Sequence, residues 1–413
     1  MYKLKPICAV ALAAALGCIV TAAAQAAVCT VPGTHPTISA AAADPSCSTI
    51  NVAPGVYNEN VNVTHSCDIN GAQAGGTNDF ATRSANPAGE SIVKGAGPGV
   101  STPIFTINAA SVTIDGFTIT NVVNLFSSSG VEVKGVGTGS AIVNNIFDGI
   151  STGDTTVNGT AQAVYLSSGG ADNVNIANNE MKNVHSNRSA KGVLVGDNGG
   201  TNPSQNVTIA NNSIHDITSD TRGAYGVSVA NVPGVSGLKI TNNAFDKLNG
   251  GGWVHGVGLE GDTPSATVED NNFSNFTAPS IDQTAVWLEA NPSFDTVKVH
   301  GNNFNLTTAS FGVAVHPALS AAFPTANVDA TCNWWNSATG PTAASNPGGT
   351  GTKVGPNVTY SPWLTSPAPG GACFSVPTTA NQCKGGGWMS KIRADGSTFK
   401  NQGDCIQYVN TGK

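Results

Sequence analysis

The amino-acid sequence predicts an all-β protein in which short parallel strands stack coil upon coil, and three observations carry that prediction. Similar segments recur every 28–34 residues, anchored on Phe117, Phe147, Met181, Ile214, Phe245, Phe273, Phe304 and Trp334. Self-similarity at such a period marks a repeat architecture rather than a closed globule. Within each segment the apolar runs are short and alternate with period two, as in "GVLV" (192–195) and "NVTIANN" (206–212). That is strand periodicity, and outside the first residues no stretch keeps a helical period. Third, Asn pairs close the runs at 178–179, 211–212 and 242–243. Asn tolerates the left-handed backbone of a sharp corner, and stacked Asn side chains can bond one another up a stack.

Residues 1–26, "MYKLKPICAVALAAALGCIVTAAAQA", place Lys3 and Lys5 before an apolar run that ends at Ala24-Gln25-Ala26. This reads as a secretory signal peptide, too short and too rich in small residues for a membrane span. The expected destination is therefore outside the cell or in its envelope, with no transmembrane segment in the mature chain. Removing Lys3 and Lys5 from the 18 basic residues leaves 16 against 25 acidic ones, which argues against nucleic acid as a partner. Only 10% of residues are charged and 49 are Gly, so Asn, Ser and Thr carry the surface polarity.

Seven cysteines follow the signal: 29, 47, 67, 332, 373, 383 and 405. Export makes disulfides the natural reading, and the odd count leaves a thiol over. Clustering pairs Cys29 with Cys47 and Cys383 with Cys405. No C-x-x-C occurs, so a structural role outweighs metal binding. The chain divides into a helix-poor N-terminal cap (27–49), a repeat body (50–365), a linker "SPAPGGA" (366–372) and a Cys-containing tail (373–413).

The segments "NVAPGVYNENV" (51–61) and "SVTIDGFTIT" (111–120), with the recurring I-x-N-N-x-F, resemble the right-handed parallel β-helix, or pectate-lyase-like, superfamily. The resemblance implies a single-stranded right-handed β-helix of about nine coils. "CNWWNSATGPT" (332–342) and "VTYSPWL" (358–364) resemble the closing segment of secreted bacterial β-helix proteins, and the tail resembles a small module appended to them. "GVYNE" (55–59) and "QAVYL" (162–166) are similar to two pectin-methylesterase signatures, but the catalytic segments of that family have no counterpart here. Nor do the polygalacturonase motifs beyond the dipeptides His255-Gly256 and His300-Gly301, or the Arg-x-Pro-x-x-Arg segment of pectate lyases. Carbohydrate is implied by fold analogy alone.

Chemistry is sought in the columns that point outward. In the strand opening each repeat the inward residues are Val131, Val164, Val193, Val227, Val257, Val286 and Val313. One position on lie Glu132, Tyr165, Leu194, Ser228, Gly258, Trp287 and Ala314; three positions on lie Lys134, Ser167, Gly196, Ala230, Glu260, Glu289 and His316. Glu260, Glu289 and His316 thus fall side by side as candidate catalytic residues, with Trp287 as a sugar platform. Two carboxylates about 5 Å apart should raise one pKa or hold a cation between them. A protonated acid beside a carboxylate is what glycoside hydrolysis uses, and Ca²⁺ is the cation suited to Glu260, Glu289 and Asp262. His255, Tyr165, Arg188 and Arg222 complete the candidate substrate-binding set, the arginines positioned to meet an acidic sugar. A second outward strip, Asp148, Lys182, His215, Asp246, Ser274 and Asn305, alternates in sign and suits charge pairing between coils. Two functions remain open: a secreted, monomeric polysaccharide-interacting protein, for which a carboxylate-based lyase or hydrolase route is one option, and a non-catalytic surface or adhesion rod.

Overall fold

A computed structural model describes residues 27–412 except 77–78, 97–102, 122–126, 153–158, 168, 197–201, 231–233, 280–281 and 394–396. The signal peptide expected at 1–26 lies outside the described residues. Three parallel sheets of twelve, eleven and nine strands form the faces of a β-helix. Each coil gives one strand to the twelve-stranded sheet, one to the nine-stranded sheet and one to the eleven-stranded sheet, which we call the first, second and third. The series runs from Cys47–Val52, Gly55–Asn58 and Val61–Val63 to Lys298–His300, Asn303–Asn305 and Phe311–Val315. Ala27–Val31 precedes it as the end strand of the first sheet. The short helix Ile38–Ala42 buries Ile38, Ala41 and Ala42 against the same core. Helices are few and short, and among the described residues none is long and apolar enough to cross a membrane.

The corner between the first and second sheets is built by the Asn pairs. The first member of each takes the left-handed backbone: Asn144, Asn178, Asn211 and Asn242 have φ of 55°, 58°, 56° and 55°. The second member turns inward and bonds its counterpart on the next coil. Asn145, Asn179, Asn212, Asn243, Asn271, Asn302 and Asn333 form one continuous buried ladder. Each ladder amide also accepts from the backbone N–H at the ladder position of the preceding coil and donates to a carbonyl of that coil, so few polar groups at this buried corner go unpaired.

Two residues past each ladder Asn comes the interior anchor. Phe245 stacks on Phe273 at 4.9 Å between ring centroids, Phe273 on Phe304 at 5.6 Å, and Phe304 on Trp335 at 4.9 Å. This register corrects the two ends of the predicted anchor series. Asn333 is the ladder residue of the last repeat, so fully buried Trp335 is the anchor, while Trp334 bridges to Asn303 and is only half-buried. At the other end Ile119 pairs with Phe147, and Phe117, though buried, occupies the ladder position. The Trp-Trp and Phe-x-Ile pairs each offered two apolar candidates, and the corner geometry chose between them.

The disulfides Cys29–Cys47 and Cys383–Cys405 form as clustering suggested, and a third, Cys332–Cys373, ties the tail to the final coil. Cys67 is the buried free thiol, pushed up to about 11 by burial and the neighbouring Asp68 carboxylate.

Candidate functional site

The third sheet carries the site. Its register sets the valines in one inward column and Glu132, Tyr165, Leu194, Ser228, Gly258, Trp287 and Ala314 in the column beside it. A second outward column lies two residues before each valine: Ser129, Gln162, Lys191, Tyr225, His255 and Thr284. Between column and valine sits a small residue, Gly130, Ala163, Gly192, Gly226, Gly256, Ala285 or Gly312, that turns inward. A Cβ on Gly226 would lie 2.2 Å from Phe245, and one on Gly256 would lie 2.6 Å from Phe273. The anchor rings therefore demand a small residue there. Two consecutive inward positions break the alternation of the strand and swing the residue before them outward.

These columns line a cleft of about 540 Å³ that runs across six coils, from Pro103 to Glu260. Its charged and aromatic lining comprises Glu132, Tyr165, Arg188, Lys191, Arg222, Tyr225, Trp253 and Glu260. Trp253 Nε1 donates to Tyr225 Oη at 2.7 Å, and Tyr225 Oη donates to Glu260 Oε1 at 2.8 Å. Lys191 Nζ lies over the Tyr225 ring, 5.3 Å from its centroid. Burial holds the Lys191 ammonium below its usual range, with the Glu260 charge opposing. Burial, then the Glu260 carboxylate, holds the Tyr225 phenol well above its own, so Tyr225 stays protonated and donates. Burial alone would raise the Glu260 carboxyl. Its contacts with His255 and Tyr225 and the Lys191 charge prevail and hold it low, so Glu260 is ionised. The rise expected from two facing carboxylates does not occur at Glu260.

Arg188 and Arg222 occupy equivalent turns on neighbouring coils. Their backbone N–H groups donate to Ser186 Oγ and Ser219 Oγ at 3.2 and 3.1 Å, which fixes where each side chain departs. Neither guanidinium has a hydrogen bond or ion pair among the described residues, and neither does the Lys191 ammonium. Gln162 Nε2 donates to Ser129 Oγ at 2.7 Å, while Gln162 Oε1 is buried without a partner. Glu132 is neutralised by Lys134.

The sequence-predicted residues divide. Tyr165, Arg188, Arg222 and Glu260 line the cleft together. His255 stands behind it, 2% exposed, its Nδ1 3.4 Å from Glu260 Oε1 in ion-pair range but outside hydrogen-bonding geometry. Trp287 stacks on His255 at 5.2 Å. Glu260 and Glu289 do occupy equivalent positions on adjacent coils, their N–H groups bonding Val229 O and Leu259 O. Their carboxylates have different company: Glu289 accepts from Trp287 Nε1 at 3.0 Å and faces His316 at 4.0 Å. His316 caps the helix Pro317–Ala322, its Nδ1 accepting from Ala318 N. Glu260, Glu289 and Asp262 do not bring three donor atoms within 4.8 Å of one another, the spacing found among the described residues only for Cys29, His35 and Cys47, two of which form a disulfide. Lys191, Tyr225, Gln162 and Trp253 were missed.

No family model matches the chain, and no curated protein matches it. Among solved structures, a pectin methylesterase in complex with a hexasaccharide is similar over 65% of this chain and 91% of its own, at 12% identity and a TM-score of 0.33.

Proposed function

We propose that the third-sheet cleft binds an anionic polysaccharide of the uronic-acid class. The observation that carries this reading is the convergence of two unpartnered guanidinium groups and one unpartnered ammonium on a single cleft of an otherwise acidic chain. Planar guanidinium forks suit carboxylates, and Tyr165 and Trp253 beside them offer the flat faces on which sugar rings pack.

Bond cleavage is the finer reading. Hydrolysis needs two carboxylates roughly 5–9.5 Å apart. Glu132 and Glu260 stand four coils apart, about 19 Å at the ordinary strand spacing, so a hydrolytic pair would have to be Glu260 with Glu289. Elimination needs one base, an anchored sugar carboxylate and a proton donor: the arginines anchor the carboxylate, Tyr225 keeps its proton, and Lys191, whose proton burial loosens, is a base only in its neutral form, when the arginines alone hold the anion. The test is incubation with polygalacturonate, alginate and a neutral glucan. Retention of the uronates but not the glucan supports the binding reading. Unsaturated ends then mark elimination, new saturated reducing ends mark hydrolysis, and neither product with retention marks a non-catalytic binder. Failure to retain either uronate refutes the proposal.

A further inference from the structure

We infer that His255 is a proton-operated positioning residue, which while charged holds Glu260 as a neutralised partner and so leaves Lys191 free for an anionic ligand. The inference rests on the anionic-ligand reading above.

The groups that face the His255 ring can be named from each element packed on it. Tyr225, on the preceding coil, meets it edge-on at 5.3 Å and 79°. Trp287, on the following coil, stacks on it at 5.2 Å and 21°. Asp282, which leads into that same strand, places Oδ1 3.3 Å from Nε2. Glu260, at the end of its own strand, places Oε1 3.4 Å from Nδ1. A buried ring thus stands between two carboxylates and under an indole face, a setting that favours the imidazolium. Burial acts to lower the pKa, but Asp282 and Glu260 prevail and hold it above the usual histidine value.

The imidazolium cancels one of the two negative charges that flank it. Loss of its proton leaves the half-buried Glu260 carboxylate with Tyr225 and the Lys191 ammonium as its remaining compensation. Lys191 is then drawn toward Glu260 and away from the ligand, and the cleft becomes one charge less positive. His255 reaches the ligand only through Glu260, since it does not line the cleft. The sign follows directly. The protonated clamp is complete below the ordinary histidine value and is lost as pH rises through the raised one, so anion affinity should fall across that interval. Uronate carboxylates stay ionised throughout it.

The experiment measures the dissociation constant of a galacturonate hexamer by calorimetry at pH 5.5, 6.5, 7.5 and 8.5, with the His255 ring followed by NMR in the free and bound protein. Affinity should weaken at least roughly fivefold between the extremes, the low end of ordinary site coupling. Reciprocity requires the bound hexamer to raise the His255 midpoint. Asp282→Asn removes a carboxylate outside the cleft and should shift both the NMR midpoint and the affinity profile to lower pH. His255→Gln should bind weakly at every pH, and His300→Gln, on the first sheet against Asp329, should keep the wild-type profile. A hexamer that binds with a flat profile, or a profile unmoved by Asp282→Asn, overturns the inference and leaves the binding reading standing. A hexamer that binds at no pH removes both.

Discussion

Tyr225 and Glu260 share a hydrogen bond of 2.8 Å across one coil boundary, and Trp253 closes the relay by donating to the same phenol oxygen at 2.7 Å. Three side chains from two coils are thereby held in one geometry at the head of the cleft. Tyr225 is 4% exposed, while Trp253 and Glu260 are half-buried at the cleft wall.

Tyr225→Phe keeps the ring and deletes the oxygen, leaving the Trp253 N–H and the Glu260 carboxylate each without that partner. The expected cost is about 0.5–1.5 kcal/mol, the net contribution of a hydrogen bond whose partners keep access to water. A reduced urea midpoint with unchanged slope would show it. Equal midpoints would mean that the relay contributes nothing to the fold.

The Asn pairs assign different roles to neighbouring residues. Asn212 Oδ1 accepts from Asn179 N and Nδ2, and Asn212 Nδ2 donates to Ile176 O and Asn243 Oδ1. Asn212→Ala should cost about 2–4 kcal/mol, because it breaks buried bonds on both sides of the rung. Asn211 has φ 56° and its side chain is exposed, so Asn211→Ala should cost only about 1–2 kcal/mol, through backbone strain. Asn211→Gly should cost less than Asn211→Ala. Equal losses for Asn211→Ala and Asn212→Ala in chemical unfolding would contradict the ladder.

Stability should peak in mild acid. His215 lies 2.7 Å from Asp216 and 3.3 Å from Glu180 on the preceding coil, and the Glu180 bond chiefly holds its pKa above the usual value. Its contribution is complete below about pH 6.5 and is lost as pH rises through the folded value. Burial would raise the Glu180 carboxyl, but His215 and Lys182 hold it low, so its contribution is present above about pH 4.3 and is lost on further acidification. Thermal unfolding should therefore give a higher midpoint at pH 5.5 than at pH 8.5, with a smaller difference in His215→Gln. A higher midpoint at pH 8.5 would contradict the assignment.

Much of this was legible in the sequence. The valine column, the Asn corners and the outward strip from Asp148 to Asn305 appear at the predicted register. The charge pairing expected along that strip does not form among the described residues: Lys182 meets Glu180 of its own strand, and His215 meets Glu180 and Asp216. The central column of the cleft was not legible because strict alternation from each valine places Gln162, Lys191 and Tyr225 inward. The signal that corrects this is the Gly or Ala immediately before every valine from Val131 to Val313. A small residue recurring opposite a stack of aromatic anchors reports a second inward position, and hence an outward one before it. The ends of the anchor series failed for a simpler reason: two adjacent or near-adjacent apolar residues compete for one interior place, and only the ladder fixes which one takes it.

The most direct measurement is the affinity of a galacturonate hexamer, at pH 5.5 and low salt, for the wild-type chain, Arg188→Ala/Arg222→Ala and a control on the first sheet, Lys239→Ala/Lys298→Ala. Both double variants remove the same formal charge, so long-range electrostatics change alike. The arginine variant should lose at least roughly tenfold in affinity, each charge-assisted bond contributing about 1.5–3 kcal/mol, with near-wild-type binding in the control. Equal affinities for the arginine variant and the wild type, or equal losses in the two double variants, would contradict a uronate site in the third-sheet cleft.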